Sequence, residues 1–421
     1  MRVQGLTSVK LLGLGLSLAL AGCTSSKPQY AYVPPPLPMA RPAPVERAMP
    51  VLGSRVALLA PMTGPNAERG TALAQAAQLA LEAPGAPPLD VIDTHGTPDG
   101  AAAAAAQAIA RGAGLILGPL TAPETAAAAA ATISAGVAML AFTSDEAQAK
   151  PGVWVMGLTP SQQVRRLVLA ASSQGKTHFA ALLPNSDYGR VMGDALRANV
   201  AGSAPDIRGV DDSNIKVADT TVKEISGYGA RRGPIDAKLR EAINKHNAEG
   251  RKEAAELRRS EIPPPPFDAL LLASIGEGLD VVTSLLPYYD IDPPAVRIMG
   301  PALWANPAAR GTGNLIGAWY AAPDPAMRAE FDARYTGRFN SPAPGLADLA
   351  YDAASIARVL AASGGFSAAS LTRPEGYAGV DGVLGLLPDG HVRRGLALFE
   401  IQRGGPQMVE PAPDSLAAPG L

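Results

Sequence analysis

Residues Arg55–Leu81 read RVALLAPMTGPNAERGTALAQAAQLAL. Val56 to Ala60 is a continuous apolar run, the pattern of a strand buried on both faces. Pro61 to Asn66 brings together Pro, Gly and Asn, residues that interrupt regular structure. The Ala/Leu-rich remainder has high helix propensity. Strand, loop and helix in that order open a parallel α/β layer, in which ligands sit at the carboxyl ends of the strands.

The same grammar repeats downstream. Leu89–Asp93 reads as a strand, broken by the turn residues His95 to Gly100. Ala101 to Arg111 is a helix of nearly pure alanine, and Leu115–Leu117 a short strand ending at Gly118-Pro119. Thr121 to Ala131 is a second Ala-rich helix with Pro123 in its first turn. Val137–Phe142 is a strand followed by Thr143-Ser144-Asp145, and Val153–Met156 is another. The sum, βαβαβαβ, predicts a doubly wound parallel sheet. A helix over Pro160–Ala171 follows, with Thr159 or Ser161 as its cap.

A second series begins at His178 with the strand HFAALLP, the loop Asn185–Gly189 and a helix over Val191–Ala201. Thr221–Ile225 reads as a strand, and Gly233-Pro234 as the start of a helix reaching about His246. That helix has an apolar stripe of Ile235, Leu239, Ala242 and Ile243. Ala248–Arg259 has almost no apolar face and reads as an exposed helical extension, stopped by Pro263–Pro266. Next come a strand at Phe267–Ala273, a helix over Gly278–Leu286, and strands at Arg297–Gly300 and Ile316–Tyr320. Helices over Ala326–Phe339 and Gly345–Ala361 precede the last strands, Gly379–Val383 and Leu396–Ile401, which flank the turn Pro388-Asp389-Gly390. Beyond about Arg403 the composition predicts a frayed tail.

The chain has 421 residues, a length for two or more lobes. Its formal net charge of −2 gives no electrostatic case for a nucleic-acid partner. At the start, Arg2 and Lys10 make a positive n-region ahead of an apolar run, Leu11–Ala21, too short for an ordinary membrane span. Leu20-Ala21-Gly22-Cys23 resembles a bacterial lipobox, and Cys23 is the only cysteine of the chain. The expectation is a lipoprotein signal peptide over 1–22 and a lipidated Cys23; the plainer alternative is a chance Cys at the end of an ordinary signal peptide. One cysteine excludes an internal disulfide and any multi-thiolate metal site. Thr24 rather than Asp after the lipidated position leans toward the outer membrane. Residues 23–52 are Pro-rich and read as a semi-extended tether, with a polyproline ligand for a partner as the alternative. No later stretch is long and apolar enough to span a bilayer.

Catalytic patterns are weak. Ser173-Gln174-Gly175-Lys176 matches the S-x-x-K spacing of penicillin-recognising serine enzymes. That motif needs Ser at a helix start, whereas here the four residues end one, with no S-D-N or K-T-G partner. His95, His178, His246 and His391 are scattered without metal spacing. Asp211-Asp212 falls in a loop, and Gly311-Thr312-Gly313 lacks the strand–helix context of a nucleotide loop. No catalytic residue, metal or cofactor is expected.

The order of VALLAPMTGP, LILGPLTAPET, VAMLAFTS, FAALLPNSDYGRVMGDALR, FDALLLAS, VRIMGP, LADLAYDAASIARVLA and YAGVDGVLGLLPDGHVRRGLALFEI resembles the type I periplasmic-binding-protein fold, in its branched-chain amino-acid-binding and receptor group. The resemblance spans about Arg55 to Arg403 and implies two doubly wound parallel-sheet lobes with a cleft between them. It places one lobe at 53–158 plus 305–374, the other at 159–304 plus 375–403, and a disordered tail at 404–421. Within the superfamily, the lipoprotein start and the charged, Pro-rich insertion near Asn247–Pro266 resemble the penicillin-binding protein activator family of outer-membrane lipoproteins. The helical-repeat domain that precedes this fold in the best-known activators has no counterpart between Cys23 and Arg55.

That resemblance implies a non-enzymatic protein, anchored by lipid to the outer membrane and facing the periplasm, whose partner is a peptidoglycan synthase. The alternative it leaves open is the substrate-binding component of an ABC transporter, holding an amino acid or similar solute in the cleft. By analogy with amino-acid-binding relatives, Thr121, Thr143 and Ser144 are candidate donors to a ligand carboxylate, Tyr188 a packing residue and Glu277 an acid for its ammonium. For each, a local turn or packing role stands beside the ligand role.

Overall fold

The computed structural model describes residues 53–311, 313 and 315–417. The expected signal peptide over 1–22, the expected lipidated Cys23 with the Pro-rich tether to residue 52, and residue Thr312 of the Gly-Thr-Gly stretch lie outside the described residues.

The first lobe is built on a five-stranded sheet of β1 (Arg55–Ala60), β2 (Leu89–Asp93), β3 (Ala113–Leu117), β4 (Ala138–Ala141) and β5 (Val153–Val155), in the order β2-β1-β3-β4-β5. All its pairings are parallel. The crossovers are α1 (Ala67–Ala80), α2 (Pro98–Ala110) and α3 (Ala122–Ala135). Both faces are covered, which is why β1 reads as an unbroken apolar run: Val56, Leu58 and Ala60 enter one core cluster, Ala57 and Leu59 the opposite one. Alanine lets α2 and α3 lie close on the second face, through Ala104, Ala105, Ala108, Ala128 and Ala129. Thr97 caps α2 by accepting from Gly100 N at 3.1 Å.

The chain then enters the second lobe through α4 (Pro160–Ser173), β6 (Phe179–Pro184), α5 (Asp187–Asn199), β7 (Asp206–Val210), α6 (Ile215–Ile225), α7 (Tyr228–Asn244), α8 (Ala248–Leu257), β8 (Ala269–Leu272), α9 (Gly276–Leu285), β9 (Arg297–Gly300), α10 (Pro307–Arg310) and β10 (Trp319–Ala322). It returns to the first lobe for α11 (Pro325–Phe339), α12 (Ala347–Ala362), α13 (Ala368–Leu371) and the small antiparallel sheet β11 (Tyr377–Gly379), β12 (Gly382–Leu386), β13 (Val392–Arg394). It ends in the second lobe with β14 (Ala397–Gln402) and β15 (Gly405–Glu410). The second sheet runs β7-β6-β8-β9-β10-β14-β15. Its parallel part repeats the topology of the first, and two antiparallel strands extend it. Trp304 is fully buried against Gly300, where a Cβ would lie 2.2 Å from the indole.

The lobe boundaries differ from the expectation at two of three crossings. Residues 305–322 belong with the second lobe, because β10 pairs with β9 and β14. Residues 375–392 belong with the first, because Tyr377, Leu384, Leu386 and Val392 pack into its core beside α12. Residues 404–417 are not a frayed tail: β15 pairs antiparallel with β14 from Leu398↔Glu410 to Gln402↔Gly405. Thr221–Ile225 is the end of α6 rather than a strand, with Ala218, Val222 and Ile225 on its buried face. α7 starts at Tyr228, so Pro234 lies inside it instead of opening it. Among the described residues no helix is long and apolar enough to cross a membrane.

Candidate functional site at the interlobe cleft

The carboxyl ends of β1, β3 and β4 form the rim of the first lobe. Gly118 turns the chain there with φ +84°, and a Cβ would lie 2.3 Å from the Leu59 carbonyl oxygen. The turn delivers Thr121 to the N-cap of α3, where its Oγ1 accepts from Glu124 N at 3.4 Å. Thr121 Oγ1 and Thr121 N donate to Glu124 Oε2 at 2.7 and 3.1 Å. Thr94, at the end of β2, donates its hydroxyl to Glu124 Oε1 at 2.5 Å. Glu124 is only 1% exposed. Three donors therefore converge on one buried carboxylate at the positive end of a helix.

The other first-lobe candidates are differently placed. Thr143 is 7% exposed and its Oγ1 accepts from Asp145 N at 3.0 Å, a local turn bond. Ser144 is exposed on the same loop. The Pro61–Asn66 loop is tied down by Asp93, which accepts from Met62 N, Thr63 N, Thr63 Oγ1 and His95 N. Burial opposes ionisation of that carboxyl, but the Thr63 hydroxyl and the His95 and Met62 amides hold it below its ordinary pKa.

On the second lobe the structure brings Tyr188 and Glu277 to one cavity of about 590 Å³. Tyr188 stands in the first turn of α5, which Ser186 caps by accepting from Gly189 N at 3.2 Å. Burial pushes its phenol up to about 12. Glu277 is exposed in the first turn of α9. Asp212 and two exposed apolar side chains, Ile275 (45%) and Leu303 (47%), share the cavity. Ser274 also faces it, with a buried Oγ that lacks a hydrogen-bond partner among the described residues. Thr121, Thr143 and Ser144 are thus on one rim, Tyr188 and Glu277 on the other.

Behind the cleft the chain crosses between lobes at 156–159, 323–324 and 395–396, between the elements that flank each step. Polar side chains bind these crossings together. Gln162 Nε2 donates to Val392 O at 2.6 Å, and Arg166 Nε to Leu396 O at 2.9 Å. Arg394 Nη2 donates to Met156 O at 2.9 Å, joining the third crossing to the first.

Beside Arg394 lies a buried cluster that sequence reading missed: Asp348, Asp352 and Asp381 face Arg328 and Arg394. The pairs are long, from 3.2 Å for Arg328–Asp348 to 3.9 Å for Arg394–Asp381. Burial raises Asp352 to about 7, against the lowering effect of Arg394 and the Val380 amide. Burial and a hydrogen bond with Asp348 raise Asp381 as well. The signal was present: Asp348 and Asp352 sit four residues apart on the otherwise apolar helix LADLAYDAASIARVLA.

The S-x-x-K residues have other partners. Ser173 Oγ donates to Ala170 O, while Lys176 Nζ donates to Pro294 O and Ala295 O. Among the described residues no group of three or more His, Cys, Asp or Glu is placed to hold a metal ion.

A sequence model described as periplasmic binding protein matches residues 54–222. No curated protein matches the sequence. Among solved structures, a putative branched-chain amino acid ABC transporter from Rhodospirillum rubrum aligns with a TM-score of 0.64 at 18% identity, over 85% of this chain and 100% of that one. The C-domain of LpoA from Haemophilus influenzae, a regulator of PBP1A, aligns with a TM-score of 0.57 at 17% identity, again over 85% and 100%. Full-length LpoA gives 0.59 at 17% identity, and only 59% of its length is covered. The architecture is that of the type I periplasmic-binding-protein fold: two α/β lobes, each on a parallel sheet, with the cleft at the strands' carboxyl ends.

Proposed function

We propose that this chain is a non-enzymatic, lipid-anchored envelope protein that faces the periplasm, docks on a penicillin-binding protein and stimulates peptidoglycan synthesis. The observation that carries this reading is Glu124. A receptor for amino acids needs free donors on the first-lobe rim for the ligand carboxylate. Here the Thr121 amide and hydroxyl, with the Thr94 hydroxyl, are already spent on the chain's own carboxylate. A rim whose donors are so committed still fixes the spacing of two lobes for a protein partner. The likeness of the whole described body to the C-domain of LpoA supports the same reading.

A second reading, a solute receptor, is favoured by one observation. Tyr188 and Glu277 line a cavity on the second-lobe rim, the placement suited to an apolar body and an ammonium group.

One pair of measurements separates them. Glycan polymerisation and crosslinking by a purified penicillin-binding protein should rise when the chain is added. Its melting temperature should stay constant in millimolar leucine, isoleucine, valine or glutamate. A bound ligand at 100 times its Kd would add about 2.7 kcal/mol of stability. Saturable amino-acid binding without any effect on the synthase overturns the first reading.

A further inference from the structure

A groove on the first lobe, formed by α11, α12 and β11, encloses about 480 Å³, within the range of about 300–1,000 Å³ usual for ligand sites. Arg334, Arg358 and Arg373 line it, one from each of three chain segments. None of the three has a carboxylate within ion-pair distance among the described residues. Arg334 bonds the Tyr351 hydroxyl, and Arg373 bonds Gly376 O and lies over the Tyr377 ring at 4.3 Å. Two acids share the groove: Glu330 is exposed, and Asp352 is committed to Val380 N. The Oγ of Ser355, buried in the same wall, has no hydrogen-bond partner among the described residues.

The floor of the groove supplies a second, independent feature. β11 is an edge strand, paired with β12 on one side only. Four consecutive residues, Tyr377 to Val380, line the groove. Side chains alternate across a strand, so lining by all three residues of β11, Tyr377 to Gly379, means that the strand presents its edge there, up to Val380, whose amide is taken by Asp352. Unpaired backbone donors and acceptors along such an edge accept an added strand. Arginine forks above it match carboxylates geometrically.

We infer that this groove binds an acidic peptide segment of a partner protein, added as a strand to the free edge of β11 with its carboxylates on Arg334, Arg358 and Arg373. The inference does not rest on the proposed function, because the groove lies on the elements α11, α12 and β11 and uses none of the cleft residues.

The test is fluorescence anisotropy on the full chain with a labelled Glu-Val-Glu-Val-Glu peptide. Binding should be at least about tenfold tighter than that of the Gln-Val-Gln-Val-Gln analogue and should weaken as salt rises. Arg358→Ala, at a side chain with no partner to lose among the described residues, should weaken it about tenfold. Methylation of alternate peptide nitrogens, which leaves the protein untouched, should abolish it. Equal binding of the Gln peptide, an unaffected Arg358→Ala variant or undiminished binding of the N-methylated peptide would each overturn the inference. So would full competition by citrate or inorganic phosphate at matched anionic charge, which would mark a small-anion site instead.

Discussion

Glu124 accepts three hydrogen bonds while 1% exposed, and its removal strands the fully buried Thr94 hydroxyl. A buried unsatisfied group costs about 1–3 kcal/mol. Glu124→Ala, which leaves the Thr121 cap in place, should therefore lower the unfolding free energy by about 1–3 kcal/mol, read from urea denaturation. Glu124→Gln keeps one carbonyl acceptor and should cost less. An unchanged midpoint for Glu124→Ala would show that the carboxylate does not hold the rim together. Half of this arrangement is legible in the sequence, since Thr121-Ala122-Pro123-Glu124 spells a capping box. The other half is not: Thr94 precedes Glu124 by 30 residues, and only the folding of β2 beside β1 brings it there.

At the scale of elements, local pattern succeeds where burial is two-sided and fails where a partner decides. The apolar runs of β1, β3, β6 and β8 are visible because each strand is covered on both faces. Thr221–Ile225 has β-branched residues that suggest a strand, yet the 4-then-3 spacing of Ala218, Val222 and Ile225 matches a helix face once α6 starts at Ile215. β15 reads GPQMVE, with Gly and Pro that an edge strand tolerates and an isolated segment does not advertise. It covers β14, and its Glu410 pairs at 2.7 Å with Arg166, whose side chain is 7% exposed. Ending the chain at Arg403 should uncover the β14 edge and strand that guanidinium. The expected outcome is self-association in size-exclusion chromatography together with a lower melting temperature. A truncated protein that stays monomeric with an unchanged melting temperature would refute this role for β15.

Across the whole molecule, the buried acids beside the crossings make stability depend on pH. Asp352 has a pKa of about 7 in the folded chain, against a reference value of 3.8. Between these values the folded chain keeps a proton that the unfolded chain releases. Its contribution is therefore fully present below about pH 4 and is lost as pH rises to about 7. Asp381, raised as well, adds in the same direction; Asp93, held low, acts the opposite way in more acidic solution. The wild-type melting temperature should fall from pH 5 to pH 8. Asp352→Asn, whose Oδ1 still accepts from Val380 N, should reduce that fall. Identical slopes would show that Asp352 does not titrate in this window. The two-lobe plan was legible because strand–helix alternation repeats, whereas the second and third crossings were misplaced. Nothing local to Trp319–Ala322 or Tyr377–Leu386 says which sheet or core will receive them.

Three crossings also mean that neither lobe is finished until the chain is nearly complete. The first-lobe core needs Phe331, Leu360, Leu384 and Val392, and the second needs Ala397, Phe399 and Ile401. A chain emerging from its amino end can pair β1 to β5 early, but after β5 ends at Val155 it must run on to Pro325 and Ala347 before α11 and α12 join α1 in sealing one face of that sheet. During that interval the exposed apolar face is what a chaperone or a protease would meet. Lesions in the last quarter of the sequence should therefore act on both halves of the protein at once.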